Sequence, residues 1–347
     1  MSASKSSSPR CSPLPTFRTA TVTELLSERP GLQRVDTDRG RAYVLTQLIG
    51  TVAVGDQVVL NTTAVDLDLG TGGWHFVHWN LARETLHEPG PGHIMKLRYT
   101  SLQVDAGGAE EHHPDLPGRL DGMPVVVGGL HSQLPCVAVA VRAAVPRARI
   151  AYVMTDGASL PLALSDLVDD LVTAGLIDVT ITAGHAFGGD LEAVSVPSAL
   201  ALARHVAHAD LAIVAMGPGV VGTDTALGTS SVEVAAALDA AAALGGRPVA
   251  VLRMSDGDPR PRHQGVSHHS VTALDLARSS VLVASPADGA FSHDRHDVRV
   301  LAPPDIPALL AAAHLDVTTM GRGPESDPLF FAAAGVAGSL AASLLST

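Results

Sequence analysis

Three scarcities narrow the chemistry before any motif is read. The 347 residues hold two cysteines, 3% aromatics and only two lysines, Lys5 and Lys96. With no Gly-Lys-Ser/Thr run there is no Walker-type phosphate loop. A Schiff base would have only Lys96 to form on, because Lys5 lies in a Ser/Pro-rich tail. Cys11 sits in that tail and Cys136 in the apolar run Pro135-Cys-Val-Ala-Val139, where it reads as a buried structural thiol. Two such cysteines make no disulfide framework and fit a reducing, cytoplasmic setting. No G-x-S-x-G elbow occurs, which leaves an α/β-hydrolase triad without support. Positive charge is also short: Lys plus Arg is 23 against Asp plus Glu 35, a net charge of -12. That balance argues against a nucleic-acid backbone as partner.

What is present is a chain able to fold. It is 46% hydrophobic and 17% charged, enough to bury a core built of Ala, Val and Leu. Residues 1–16 read as a disordered tail. The uncharged run Pro328 to Leu345 has membrane length, but its Ala, Gly and Ser content reads as a docked C-terminal helix, so no membrane partner is expected.

Residues 17–105 read as a small all-β, barrel-like domain. Thr19 to Thr23, Arg41 to Thr46 and Asp56 to Asn61 are short β-branched runs, and Trp74-His-Phe-Val-His-Trp79 alternates so that Trp74 and Phe76 share a face. A Gly-, Pro- and acid-rich linker is expected over 106–123. From 124 to 347 short continuous apolar runs alternate with helical stretches. The runs begin at Pro124, Ile150, Val179, Leu211, Pro248 and Val281. Ser230-Ser-Val-Glu233 reads as a capping box opening an Ala-rich helix that stops at Gly245-Gly246. The class is α/β: a doubly wound, Rossmann-like, mostly parallel sheet with helices on both faces.

In such sheets ligands bind beyond the carboxyl ends of the strands. Five consecutive strand ends carry Gly together with an ionisable residue. The first is Gly128-Gly-Leu-His131, the second Thr155-Asp-Gly157, and the third Gly184-His-Ala-Phe-Gly188-Gly189-Asp190. The fourth is Gly217-Pro-Gly219-Val-Val-Gly222-Thr223-Asp224. The fifth runs from Arg253 through Asp256, Asp258, Arg260, Arg262 and His263 to His268-His269. The G-x-G-x-x-G of the fourth end suits an anion. Its helix starts late and the next strand's end lies well beyond the ribose-binding distance of about 20 residues, so an anion other than nicotinamide or flavin is favoured.

Gly217, Gly219, Gly222, Thr223, Gly188, Gly189, Asp190, His131 and Lys96 are candidate ligand-binding positions, with Arg260 and Arg262 as a clamp. His263 and His268 are candidates to move protons, and Asp256 and Asp156 to orient them. Asp256, Asp258, His263, His268 and His269 are also the candidate ligands for a divalent metal, though their spacing matches no zinc pattern. His185 with Asp190 and Glu192 is a second acid–base cluster, and Ser267 or Ser270 a helix cap.

Six motifs resemble one bacterial family, the domain of unknown function 3866. They are Gly92 to Thr100, Ala151 to Gly157, Gly184 to Ala193, Gly217 to Thr223, Asp258 to His269 and Met320-Gly-Arg-Gly-Pro-Glu-Ser-Asp-Pro328. His185 stands where the family pattern has Gln, and Asp224 where it has Gly, which sets both aside as obligatory groups. The resemblance implies an intracellular two-part protein and carries no activity. Two readings therefore stay open: an enzyme acting on a small anionic, phosphorylated or nucleotide-like ligand, and a non-catalytic metabolite sensor. Association with a second copy of the chain is also left open.

Overall fold

A computed structural model describes residues 15–157 and 159–345, so all but the last two residues of the expected tail lie outside the described residues. The chain divides into two compact units after Glu88.

In the first unit β1 (Phe17–Arg29), β2 (Leu32–Thr37), β3 (Ala42–Leu45), β4 (Gln57–Asn61) and β5 (His75–Asn80) close a barrel in the order β1-β2-β3-β5-β4. Two register shifts in the long β1 bend it so that it pairs antiparallel with both β2 and β4. Strand alternation sends Val22, Val44, Val58, Leu60 and Val77 inside. Trp74 and Phe76 share the opposite face, around Tyr43 at centroid distances of 4.7 and 5.5 Å.

The second unit starts at Pro89, so residues 89–105, read from sequence as barrel, belong to the α/β unit. The stretch 106–123 does not hang between units either: Leu120 is fully buried and its N–H donates to Leu244 O. The frame is an eight-stranded sheet, parallel throughout. Its strands are β6 (Pro124–Gly128), β7 (Ile150–Thr155), β8 (Val179–Ala183), β9 (Leu191–Ala193), β10 (Leu211–Met216), β11 (Arg247–Val251), β12 (Leu282–Pro286) and β13 (Asp297–Leu301), in the order β9-β8-β7-β10-β6-β11-β12-β13. The six expected runs all form strands. β9 and β13 were not foreseen; β9 is three residues long, and β13 is mostly exposed.

Every residue of β6, β7, β8 and β10 is buried, as continuous apolar runs require when helices cover both faces. One face packs α1 (Leu134–Ala144), α2 (Asp166–Thr173), α6 (Ile306–Ala312) and α7 (Pro328–Leu345). The other packs α3 (Val196–His205), α4 (Glu233–Ala243) and α5 (His268–Leu276). The α7 helix is long and apolar enough to cross a membrane, yet 61% of it is buried within the fold. Its small residues explain the close fit: a Cβ on Gly338 would lie 2.6 Å from Val137 O.

This order decides where a ligand can go. The chain leaves β6 and β7 toward the face of α1 and α2, and leaves β10 and β11 toward the face of α4 and α5. Because β6 lies between β10 and β11, adjacent connections part to opposite faces on both sides of it. Such a parting opens a crevice at the carboxyl ends of the strands.

Candidate functional site

Two loops meet over that crevice. The loop after β10 begins as the Gly-rich run and then turns back on itself. Thr223 N donates to Gly228 O (2.7 Å), Thr229 pairs with Gly222, and the Thr223 and Thr225 hydroxyls are 2.8 Å apart. The expected capping box does not form. Thr229 Oγ1 accepts from Ser231 N and serves as the cap, while Ser230 Oγ bonds the backbone of Val221. Glu233 is thereby released from capping, and its carboxylate accepts the Thr155 hydroxyl at the end of β7. Burial raises the Glu233 carboxyl above its ordinary value; the Thr155 bond opposes this and the nearby Asp156 charge adds to it. Sequence reading missed Glu233, because Ser-x-x-Glu before an apolar run is the signature of a cap.

Gly219 holds φ +109°, open to glycine and strained for other residues. The N–H groups of Gly219, Val220 and Gly222 have no protein acceptor among the described residues. Gly222 lies against the second loop, since a Cβ there would come within 2.9 Å of His269 Cε1. Arg262 in turn pairs with Asp224. Gly222, Thr223, Arg262 and His269 are thus brought together, with Gly217 and Gly219 earlier in the same loop.

The second loop is organised around Asp258, which is 1% exposed. Arg260 donates to it through Nε (2.8 Å) and Nη2 (2.7 Å), and Arg253 and Arg322 each approach at 3.3 Å. The Arg260 hydrogen bonds, with the Arg322 charge, hold the Asp258 carboxyl well below the usual carboxylate range. Arg322 also binds Asp327, fully buried at the head of α7, which accepts from Ser255 Oγ and from the backbone N–H groups of Asp256 and Gly257. Arg253, Arg322 and Asp327 had no assigned role in the sequence reading, although the motif around Met320–Pro328 marked the last two. The meeting of Arg322 with Asp258 spans 64 positions, beyond what spacing conveys.

Beyond Asp258, Ser267 caps α5, accepting from His269 N. The rings of His263, His268 and His269 cluster there, with centroids 4.2 to 5.5 Å apart. One ligating atom from each lies within 4.8 Å of the others. His263 and His269 are 1% and 4% exposed. Burial lowers His263 to about 3, with Arg253 and Arg260 adding to it, and His269 to about 4, with His268 and Arg253 adding. His268 is lowered too, by burial and then by Arg262. A cavity of about 20 Å³, roughly the room of one water, is lined by His269, Arg253, Gly129 and Ser231.

The remaining candidates lie elsewhere or are occupied. Asp256 and Asp258, expected as metal ligands, stand apart from the three histidines: Asp256 caps α7 through Leu329 N, and Asp258 serves the arginines. Arg260 is held on Asp258, so it is a fixed positive group rather than a free clamp. His131 Nε2 lies 2.7 Å from Ser165 Oγ, with Tyr152 OH at 3.4 Å from Nδ1, and burial lowers it to about 4; it ties β6 to the cap of α2.

Lys96 belongs to the second unit and is fully buried, donating to Ala186 O (3.0 Å) and Ala193 O (3.1 Å) beside Glu192 (3.4 Å). It holds the short β8–β9 connection and does not line the crevice. In that connection Asp190 accepts from Thr180, Gly188 N donates to Glu192, and Gly189 has no room for a Cβ. Those expected ligand contacts are therefore internal bonds. His185 does not pair with Asp190 or Glu192; Nδ1 accepts from Leu97 N, and Arg98 stands 3.1 Å from Nε2. Asp156 accepts from His185 N and faces the same crevice wall as Glu233.

A family model described as a protein of unknown function (DUF3866) matches residues 41–338. No curated protein and no solved structure matches the chain. With the match spanning both the barrel and the parallel-sheet unit, the chain belongs to the DUF3866 family.

Proposed function

We propose that this chain is an α/β enzyme acting on a small anionic ligand, phosphorylated or nucleotide-like, bound over the carboxyl ends of β10, β6 and β11. One observation carries the reading: three arginines, Arg253, Arg260 and Arg322, converge on two buried carboxylates, Asp258 and Asp327, and the Arg260 side chain is the most exposed of the three. A partly desolvated guanidinium beside unpaired backbone N–H groups is completed by an anion, which supplies acceptors to both. The amides of Gly219 and Gly222 supply the second half of that cradle. Glu233, with Asp156 behind it, is the group on the opposite wall suited to hold or deliver a proton. The acidic surface balance favours a small anion over a polymeric one.

The test is a thermal-stability screen of the full chain against phosphate, pyrophosphate, nucleotides and sugar phosphates, with each hit followed for turnover. At least one anion should stabilise the protein, and Arg260→Gln should weaken it by about tenfold or more, the value of a hydrogen bond to a charged group. Asp258 keeps Arg253 and Arg322 in that variant, so the fold survives. If no anion binds, or Arg260→Gln binds like wild type, the reading fails. A stabilising ligand that stays chemically unchanged makes the protein a sensor.

A further inference from the structure

We propose that His263, His268 and His269 form a three-histidine centre for one zinc-type divalent ion, its fourth position open toward the crevice. Packing three imidazoles together, two of them buried, is costly unless something uses their nitrogens, because each unmet buried polar atom costs about 1–3 kcal/mol. Among the described residues, His268 Nε2 and both ring nitrogens of His269 are buried with no partner at hydrogen-bond distance, although the Thr223 backbone stands near the His269 ring. A core that needed only volume would carry Leu or Phe at these positions. His263 differs: its Nδ1 lies 2.7 Å from Ser267 Oγ, which also accepts from His269 N. In the tautomer whose Nδ1–H donates to that hydroxyl, Nε2 carries the ring's lone pair, the outer-shell arrangement that orients a metal-bound histidine.

The donor set selects the ion. Three imidazoles with no carboxylate suit Zn²⁺ and its neighbours and do not suit Mg²⁺ or Ca²⁺. Three protein ligands leave a fourth tetrahedral position, as in open zinc sites. The ring atoms lie within 4.8 Å of one another, and Zn–N bonds of about 2.0–2.1 Å require roughly 3.4 Å, so the rings draw in by about 1 Å on loading. Gly222 belongs to the same construction, since a side chain there would displace the His269 ring.

Neighbouring arginines are the countervailing term. Arg262 is paired with Asp224, and Arg253 with Asp258, which blunts their repulsion of a cation. Charge that remains draws an anion to the fourth position. This last point rests on the anion reading above; metal binding by the histidines does not.

The experiment titrates the chelator-treated full chain with Zn²⁺ by calorimetry and with Co²⁺ by visible absorption, where tetrahedral coordination gives intense bands. One ion per chain is expected. His269→Leu, which fills the space with an apolar side chain, should lower affinity at least 100-fold, and the partly exposed His268→Ala at least tenfold, each with a wild-type circular dichroism spectrum. No uptake by wild type, or unchanged affinity in both variants, overturns the proposal. Phosphate is titrated into stripped and Zn²⁺-loaded protein in parallel. Loss of metal binding with phosphate binding retained defeats the metal centre alone, and the reverse defeats only the anion reading.

Discussion

Replacing Asp258 with Asn tests whether the loop over the crevice is held by one carboxylate. The substitution keeps the shape and removes the charge that Arg253, Arg260 and Arg322 share. Arg260 is a third exposed and can turn to solvent, but the Arg253 and Arg322 side chains are only 11% and 18% exposed. Those two are left as neighbouring, poorly solvated cations. Breaking a buried ion pair from one side costs about 3–5 kcal/mol, against a typical domain stability of about 5–15 kcal/mol. With a urea m-value of about 3 kcal/mol per molar, the unfolding midpoint should fall by about 1 M or more. Acid unfolding supplies the second check. The folded Asp258 carboxyl titrates below its unfolded value, so its stabilisation is present above about pH 4 and is lost only as pH falls further. Asp258→Asn should therefore remove part of the steep loss below pH 4 and cost its full amount at pH 7. A midpoint shift below about 0.3 M at pH 7 would refute the reasoning.

Two further outcomes follow from packing and burial. Gly338→Ala improves helix propensity by about 1 kcal/mol yet sets a methyl 2.6 Å from Val137 O and 2.8 Å from Ala140 Cβ; overpacking costs about 1–3 kcal/mol, so thermal denaturation should show no gain and a net loss in most of that range. His131 has a folded pKa of about 4 against an ordinary 6.5, so folding binds fewer protons than the unfolded chain and stability falls on acidification between those values. The loss between pH 7 and pH 5 should be about 2 kcal/mol, and denaturant titrations of His131→Asn should show a shallower slope in that window.

The fold was largely legible in the sequence because its signals are local. A run such as Ile150 to Met154 cannot face water on either side, and a Ser before two histidines caps a helix. The candidate site was legible by position only. Strand-end residues do point to one end of a parallel sheet, so Gly222, Arg262 and His269 were found together. Which of them are free was illegible. Asp190, Gly188 and Lys96 have the right chemistry and the right address, but each is bonded inside the β8–β9 connection. Glu233 was hidden by a cap motif that a neighbouring threonine pre-empted.

By themselves, then, the apolar runs and the glycine-marked strand ends determined a barrel followed by a parallel sheet, and the lack of a Gly-Lys-Ser/Thr run excluded a Walker loop. Only the tertiary structure decided that β6 lies between β10 and β11, which brings the glycine loop against the histidines of a strand two places away. It also decided that Arg322 and Asp327 return to meet Asp258. Strand order and partner choice depend on contacts between residues far apart in the chain, whose net energy is a property of the whole packed core rather than of any local window.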